Sequence, residues 1–328
     1  VIRGIASLAV LLQHGCERYP LFNEASHAVF NLGRAAVVAF FLVSGFVIPF
    51  SLERSGSLKR FWVGRLFRLY PLYWASLIAA ILLFAGGIVS PPLRFGVNAA
   101  LLNITMFQGF VGLPHAIGAY WTLGLEIIFY MMLSALFIAG VNGRSLTLAW
   151  LTVGFTFLTE IALPLVLHRA VAFAPVELIS AAMFGTLAYR WTTGAVTLRP
   201  VLAVYGAAAA VLGVAAYVHC GVYRKADGDS FSVMCTLSSI IGGYLLFFSL
   251  VAARHCRFPA PLLWLGRVSY SVYLTHPLVL GVLVYLALPS GALMPLAIAI
   301  TLGVSELTYR CIECPAMQFG KKVTAWLQ

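Results

Sequence analysis

Charge is scarce in this chain. Of 328 residues only 9% are Asp, Glu, Lys or Arg, and the two acids together number ten. A water-solvated globular domain carries about 25% charged residues, so this composition excludes one. Several catalytic signatures are absent too. There is no Gly-rich phosphate loop ending in lysine, no G-x-S-x-G elbow and no H-E-x-x-H pair, which argues against P-loop ATPase, serine-hydrolase and zinc-protease chemistry. Cysteines are few and scattered, six in all. Cys311 and Cys314 form a C-x-x-C, but no second pair or histidine cluster accompanies them, so they read as core residues and no metal is expected. Tandem repeats, low-complexity tracts and linkers are missing as well.

What is present is apolar length. With 62% hydrophobic residues, runs long enough to cross a bilayer at roughly 20 residues each fall at 1–16, 32–50, 62–86, 119–140, 146–166, 171–189, 200–218, 231–253, 262–287 and 292–318. The expected fold is all-α: a polytopic transmembrane helical bundle of about ten membrane-spanning helices, one domain over 1–328, with the lipid bilayer as its solvent. The net charge of +11 lies mostly at helix ends, where it sets orientation and does not mark a nucleic-acid partner. Arg54, Lys59, Arg60, Arg65 and Arg68 form the densest basic cluster, and with Lys321 and Lys322 they are assigned to the cytoplasmic side. Ten crossings keep both basic ends together; an eleventh at 94–112 would part them. That segment, with Pro91-Pro92, Asn98, Asn103, Gln108, Gly109 and Gly112, is therefore read as re-entrant or interfacial. Arg190, Arg199, Arg254 and Arg257 are assigned inside, Arg224 and Lys225 outside.

Ionisable groups within a membrane are costly, roughly 2.5–3.5 kcal/mol for an arginine at a helix centre, and are functional candidates by default. Arg3 and His14 are eleven residues apart, which returns them to within roughly 20° of one helix face, about 16 Å apart along the axis. Arg65 and Arg68, at i and i+3, share a face at the cytoplasmic end of the third run. They form either a fork for phosphates or a snorkelling anchor, and Pro71 one turn later is expected to kink that helix. Thr122, Glu126, Tyr130 and Ser134 recur every fourth position as a polar stripe. Glu126 either orients His14 as a general base or ties down an arginine such as Arg34. Ser269, Tyr273 and His276 share one face of a later run, where His276 is either a packed core residue or a substrate contact. Glu306, Arg310 and Glu313 are expected to neutralise one another along a single helix. His27, His115, His168 and His219 fall near predicted helix ends and call for no special role.

Six stretches carry a resemblance: IRGIASLAVLLQH (2–14), FFLVSGFVI (40–48), RFWVGRLFRLYPLYW (60–74), YWTLGLEIIFY (120–130), SYSVYLTHP (269–277) and IECP (312–315). In this order they resemble the acyltransferase 3 family of integral membrane O-acyltransferases. The resemblance implies transfer of an acyl group, most often acetyl from acetyl-coenzyme A, to a hydroxyl of a surface or exported glycan or glycolipid, in a multi-pass protein of the bacterial inner (cytoplasmic) membrane. The acyl-CoA is then a co-substrate, with no permanently bound cofactor. On that pattern Arg3, Arg65 and Arg68 hold the donor, His14 is the base and Glu126 its partner. Arg34, Trp121, Thr122, Tyr130, Tyr273 and His276 line the cavity or the acceptor site. An alternative is that His14 is itself transiently acylated. Family glutamates at the place of Glu126 often precede further polar residues, whereas here Ile127 and Ile128 follow. Many relatives also carry a hydrolase-like domain after the membrane part; the chain resembles the stand-alone members. The rival reading from another class is a transporter or flippase for a glycan or an anionic small molecule, in which the same charges line a path without bond chemistry.

Overall fold

With no water in a bilayer core to satisfy backbone groups, apolar runs must close their hydrogen bonds internally and become helices. The computed structural model describes residues 1–169, 173–223 and 231–326; Arg224 and Lys225 lie outside them. The helices are α1 (Ile2–Cys16), α2 (Pro20–Ala28), α3 (Leu32–Ser55), α4 (Leu58–Ala85), α5 (Val97–Asn103), α6 (Trp121–Ile138), α7 (Ser145–Phe157), α8 (Leu163–Leu167), α9 (Phe173–Thr192), α10 (Leu198–Ala216), α11 (Val233–Ala252), α12 (Ala260–Tyr285), α13 (Ser290–Thr308) and α14 (Cys314–Trp326). No strand occurs among the described residues. π-helical turns join α7 to α8 (Leu158–Ala162), extend α10 (Tyr217–Val222) and join α13 to α14 (Tyr309–Glu313). The ten expected runs thus become ten helical rods. Eight are long and apolar enough to cross a membrane by themselves; α1, with 15 residues, and α9, with 20, are the other two.

α3 is the axis of the bundle, packed by α1, α9, α11, α4 and α6. Its start is fixed by Asn31, whose side chain accepts from the Arg34 amide at 2.7 Å, and its end by Gly56 at φ +60°, a left-handed position that glycine occupies without strain. α3 and α9 approach through glycines: a Cβ built at Gly45 would overlap the Ala182 carbonyl, and one at Gly185 the Leu42 carbonyl. Small residues permit such backbone contact in membrane helices. α12 packs on α1 and α13, and α14 on α4.

Residues 94–112 do not form a span. They hold the seven-residue α5 and a short 3₁₀ turn, Gln108–Val111, fastened to α4 by Tyr70, Tyr73 and Trp74, which donate to the carbonyls of Thr105, Asn103 and Ile104. Buried Gln108 donates to His115 Nδ1 at 2.6 Å. Burial pulls the His115 imidazole down, which keeps it neutral and able to accept. From Gly291 to Trp326 the last rod runs 36 residues, about 54 Å at 1.5 Å per residue. A hydrocarbon core is about 30 Å thick, so this rod is longer than one crossing needs.

Candidate active site

Polar groups on α1, α3, α6 and α12 line two adjoining cavities, and a third lies among basic residues of α3, α4 and α14. At the basic end a cavity of about 760 Å³ is lined by Arg54, Arg60, Arg65, Arg68 and Lys321, among others. Arg65 donates to Ser51 at 3.0 Å and lies over the rings of Phe61 and Tyr130. Arg68 differs from the expected fork, because its guanidinium is bound to Glu313. Glu313 in turn accepts from Ser271 at 2.9 Å. The expected neutralisation of Glu313 by Arg310 is corrected accordingly: Arg310 pairs with Glu306, and Glu313 lies in the π turn Tyr309–Glu313, which alters the helical register and aims it at α4.

Removing Arg68 would strand Glu313, which is fully buried. Arg68→Ala should therefore lower stability by about 3–5 kcal/mol, the range for breaking a buried ion pair. Thermal unfolding in detergent, compared with Arg65→Ala, measures it, and equal melting temperatures would contradict the pairing.

At mid-depth a cavity of about 60 Å³ is lined by Arg3, Ser44, Thr122, Glu126, Tyr270 and Tyr273 with apolar neighbours. Arg3 donates to Ser44 Oγ at 3.0 Å and stands 3.8 Å from Glu126. Tyr130 donates to the same carboxylate. The polar stripe of α6 is continuous: Tyr273 and Thr122 share a 2.7 Å hydrogen bond, and Trp62 donates to Ser134 at 3.1 Å.

The far vestibule, about 620 Å³, is lined by Gln13, His14, Glu17, Asn31, Arg34, Trp121, Glu177, Phe231 and Tyr273 together with apolar groups. Tyr273 and Val37 line both this cavity and the mid-depth one, so the two adjoin. His14 Nδ1 lies 3.1 Å from Glu17. Glu17 sits just beyond α1. Burial raises its carboxyl, but the hydrogen bonds from His14 and Gln13 and the adjacent imidazole outweigh it and hold the group below the usual carboxylate range. An ionised carboxylate only accepts, so Nδ1 carries a proton, and in the neutral ring Nε2 then holds the lone pair. On the other side His276 stacks against His14 at 5.6 Å between centroids. It is fully buried, and its Nδ1 is fixed by the Val272 carbonyl at 3.1 Å.

Two expected pairings are therefore corrected. Glu126 is the partner of Arg3, not of His14, because it lies a helix segment deeper, beside Ser44. Arg34 binds Glu177 at 2.5 Å rather than Glu126. The residues brought together as a site are Arg3, His14, Arg34, Trp121, Thr122, Glu126, Tyr130 and Tyr273, with His276 behind His14. Arg65 and Arg68 line the basic cavity at the other end. Sequence reasoning missed Glu17, Gln13, Glu177 and Ser44, and it gave Glu313 a different partner. Only Glu17 left a local signal, its i, i+3 spacing from His14. His219, expected to be an unremarkable helix end, is buried in a π turn 3.0 Å from Glu160.

Fold and site together define a multi-pass helical membrane protein in which a basic cavity and a histidine-bearing vestibule are linked by a polar path of side-chain contacts, Arg65 to Tyr130 to Glu126 to Arg3. Residues 1–310 match the acyltransferase domain family, and the chain belongs to it. Acyltransferase MdmB of Streptomyces mycarofaciens is 29% identical over 141 residues, 40% of this chain and 36% of that protein. A peptidoglycan O-acetyltransferase, OatA, of Listeria monocytogenes is 23% identical over 336 aligned positions, 88% of this chain and 52% of that one. Nodulation protein 10 of Rhizobium leguminosarum is 30% identical over 156 residues, 42% of each. The chain thus spans about half or less of the length of these relatives. No solved structure matches it.

Proposed function

We propose that the protein is an O-acyltransferase that takes an acyl group, acetyl in the simplest case, from acyl-coenzyme A on the cytoplasmic side and passes it to a hydroxyl of a glycan or glycolipid in the far vestibule of a bacterial inner membrane. The observation that carries this reading is the polarity of the path. Five cations face the basic cavity, whereas the vestibule offers the His14 imidazole, held through Nδ1 by Glu17. A phosphate-rich donor suits the first and a hydroxyl the second. Positive charge at the Arg54/Lys321 end also favours a cytoplasmic position.

In the proposed reaction the acceptor oxygen attacks the thioester carbonyl, the C–S bond breaks, and the hydroxyl proton passes to His14 Nε2 and then to the departing thiolate. Glu17 holds the imidazole by Nδ1 and stabilises its charged form. Arg3, with Ser44 and Glu126, flanks the narrow passage through which the thioester arm must extend. Because Glu313 occupies Arg68, donor phosphates fall chiefly to Arg65, Arg54, Arg60 and Lys321.

Arg65→Ala should raise KM for acetyl-coenzyme A about tenfold with little change in kcat, as loss of one charge-assisted hydrogen bond; an unchanged KM would remove Arg65 from donor binding. The whole reading is tested by offering labelled acetyl-coenzyme A to reconstituted vesicles carrying cell-envelope glycan. A base-labile labelled ester that requires the protein supports it. Protein-dependent passage of glycan without label would instead favour a transporter.

A further inference from the structure

The strongest unassigned arrangement is the wall of the vestibule opposite His14. Arg34 projects there from α3, its guanidinium held between the rings of Phe173 and Phe231 at 5.5 and 5.6 Å. Those rings are themselves backed by His219 at 5.1 Å and His27 at 5.0 Å. The cation cannot swing toward a ligand without leaving both rings. One edge is bound to Glu177 of α9, whose side chain is 3% exposed. Among the described lining residues the charged groups are Arg34, Glu177 and Glu17 beside His14. Arg34 is bound to Glu177 and His14 to Glu17, so no cationic group among the described lining residues is left without a carboxylate.

From this we propose that Arg34 and Glu177 act as a specificity pair that admits an uncharged, hydroxyl-bearing saccharide and excludes one bearing a carboxylate or phosphate at that wall. The proposal rests on the reading of the vestibule as the acceptor side. An anionic acceptor finds no free cation there to replace its lost hydration, and its charge comes to lie beside Glu17 and Glu177. Exclusion of this kind is selectivity by repulsion. A neutral sugar suffers no such cost. Its hydroxyls both donate and accept, matching polar groups of the lining such as Gln13, His14 and Asn31. Its C–H faces suit the flat surface of Trp121, which lines the same cavity.

The test reads binding, not turnover. Fluorescence of the full chain in nanodiscs is titrated at low salt with a neutral tetrasaccharide of N-acetylglucosamine and with an acidic tetrasaccharide of galacturonate. Trp121→Phe identifies the part of the signal that belongs to the vestibule. The expected result is a Trp121-dependent response to the neutral probe and binding of the acidic one weaker by about tenfold or more. Glu177→Gln, which leaves the charge of Arg34 uncancelled, should narrow or invert that ratio, while Arg34→Gln should not. Equal or tighter binding of the acidic probe by the unaltered protein, or no Trp121-dependent response to the neutral one, overturns the proposal. The comparison in the unaltered protein decides the matter even if a variant fails to fold. Neutral-probe binding in a preparation that transfers no acetyl would remove the acyltransferase reading and leave this one standing.

Discussion

His14→Ala should lower acyl transfer by about 10²- to 10⁴-fold, the usual worth of a positioned general base, while the affinity for acetyl-coenzyme A stays as it was. The separation follows from distance along the path. His14 lines the vestibule, whereas the cations that suit the donor line the basic cavity at the other end, so the substitution touches one function and spares the other. Glu17→Gln is the informative companion. It keeps a group able to accept from His14 Nδ1 but removes the charge that stabilises the imidazolium, so it should cost less than His14→Ala and act mainly on kcat. Single-turnover transfer and equilibrium binding of the donor, measured on the same preparation, check both. Residual turnover of His14→Ala near that of the unaltered protein would remove His14 from the chemistry, and a parallel loss of donor binding would show that its role is structural.

The positions of Arg3 and His14 were legible because helical geometry converts eleven residues into a shared face with no other information. The same holds for Thr122, Glu126, Tyr130 and Ser134, whose period of four survives intact in α6. Partners across helices were not legible. Arg34 and Glu177 are 143 residues apart, and nothing local marks them as a pair. Glu126 looked like a partner for His14 only because depth had to be inferred from charge at the helix ends, and the inferred level was about a helix segment in error. Glu313 failed for a different reason: i, i+3 and i, i+4 reasoning assumes an unbroken α-helix, and the turn at Tyr309–Glu313 closes in the wider π register. Glu160 and His219 also lie in such turns. In this chain, then, the wide turns carry three buried ionisable groups, and α-helical spacing misplaces residues at just those points.

The second large effect concerns the contact that brings Arg34 and Glu177 together. Gly45→Ala should destabilise the protein by about 3 kcal/mol, the upper part of the range for overpacking. A Cβ at Gly45 would lie 2.6 Å from the carbonyl carbon of Ala182 and closer still to its oxygen. Because that neighbour is helix backbone rather than a side-chain tip, no rotamer change relieves the overlap, and α3 and α9 must separate. Separation also strains the hydrogen bond from Thr186 Oγ1 to the Gly45 carbonyl, 3.1 Å long, and draws Glu177 from Arg34. Gly154→Ala in α7, where a Cβ meets nothing within 4 Å, is the control for a generic glycine-to-alanine effect and should be neutral or slightly stabilising. Thermal unfolding of the two variants in the same detergent decides the point, and equal melting temperatures would mean that the α3–α9 contact yields readily. A folded remnant of Gly45→Ala would carry a displaced Glu177, so its discrimination between neutral and acidic saccharides should fall even while His14, on α1, retains its bond to Glu17.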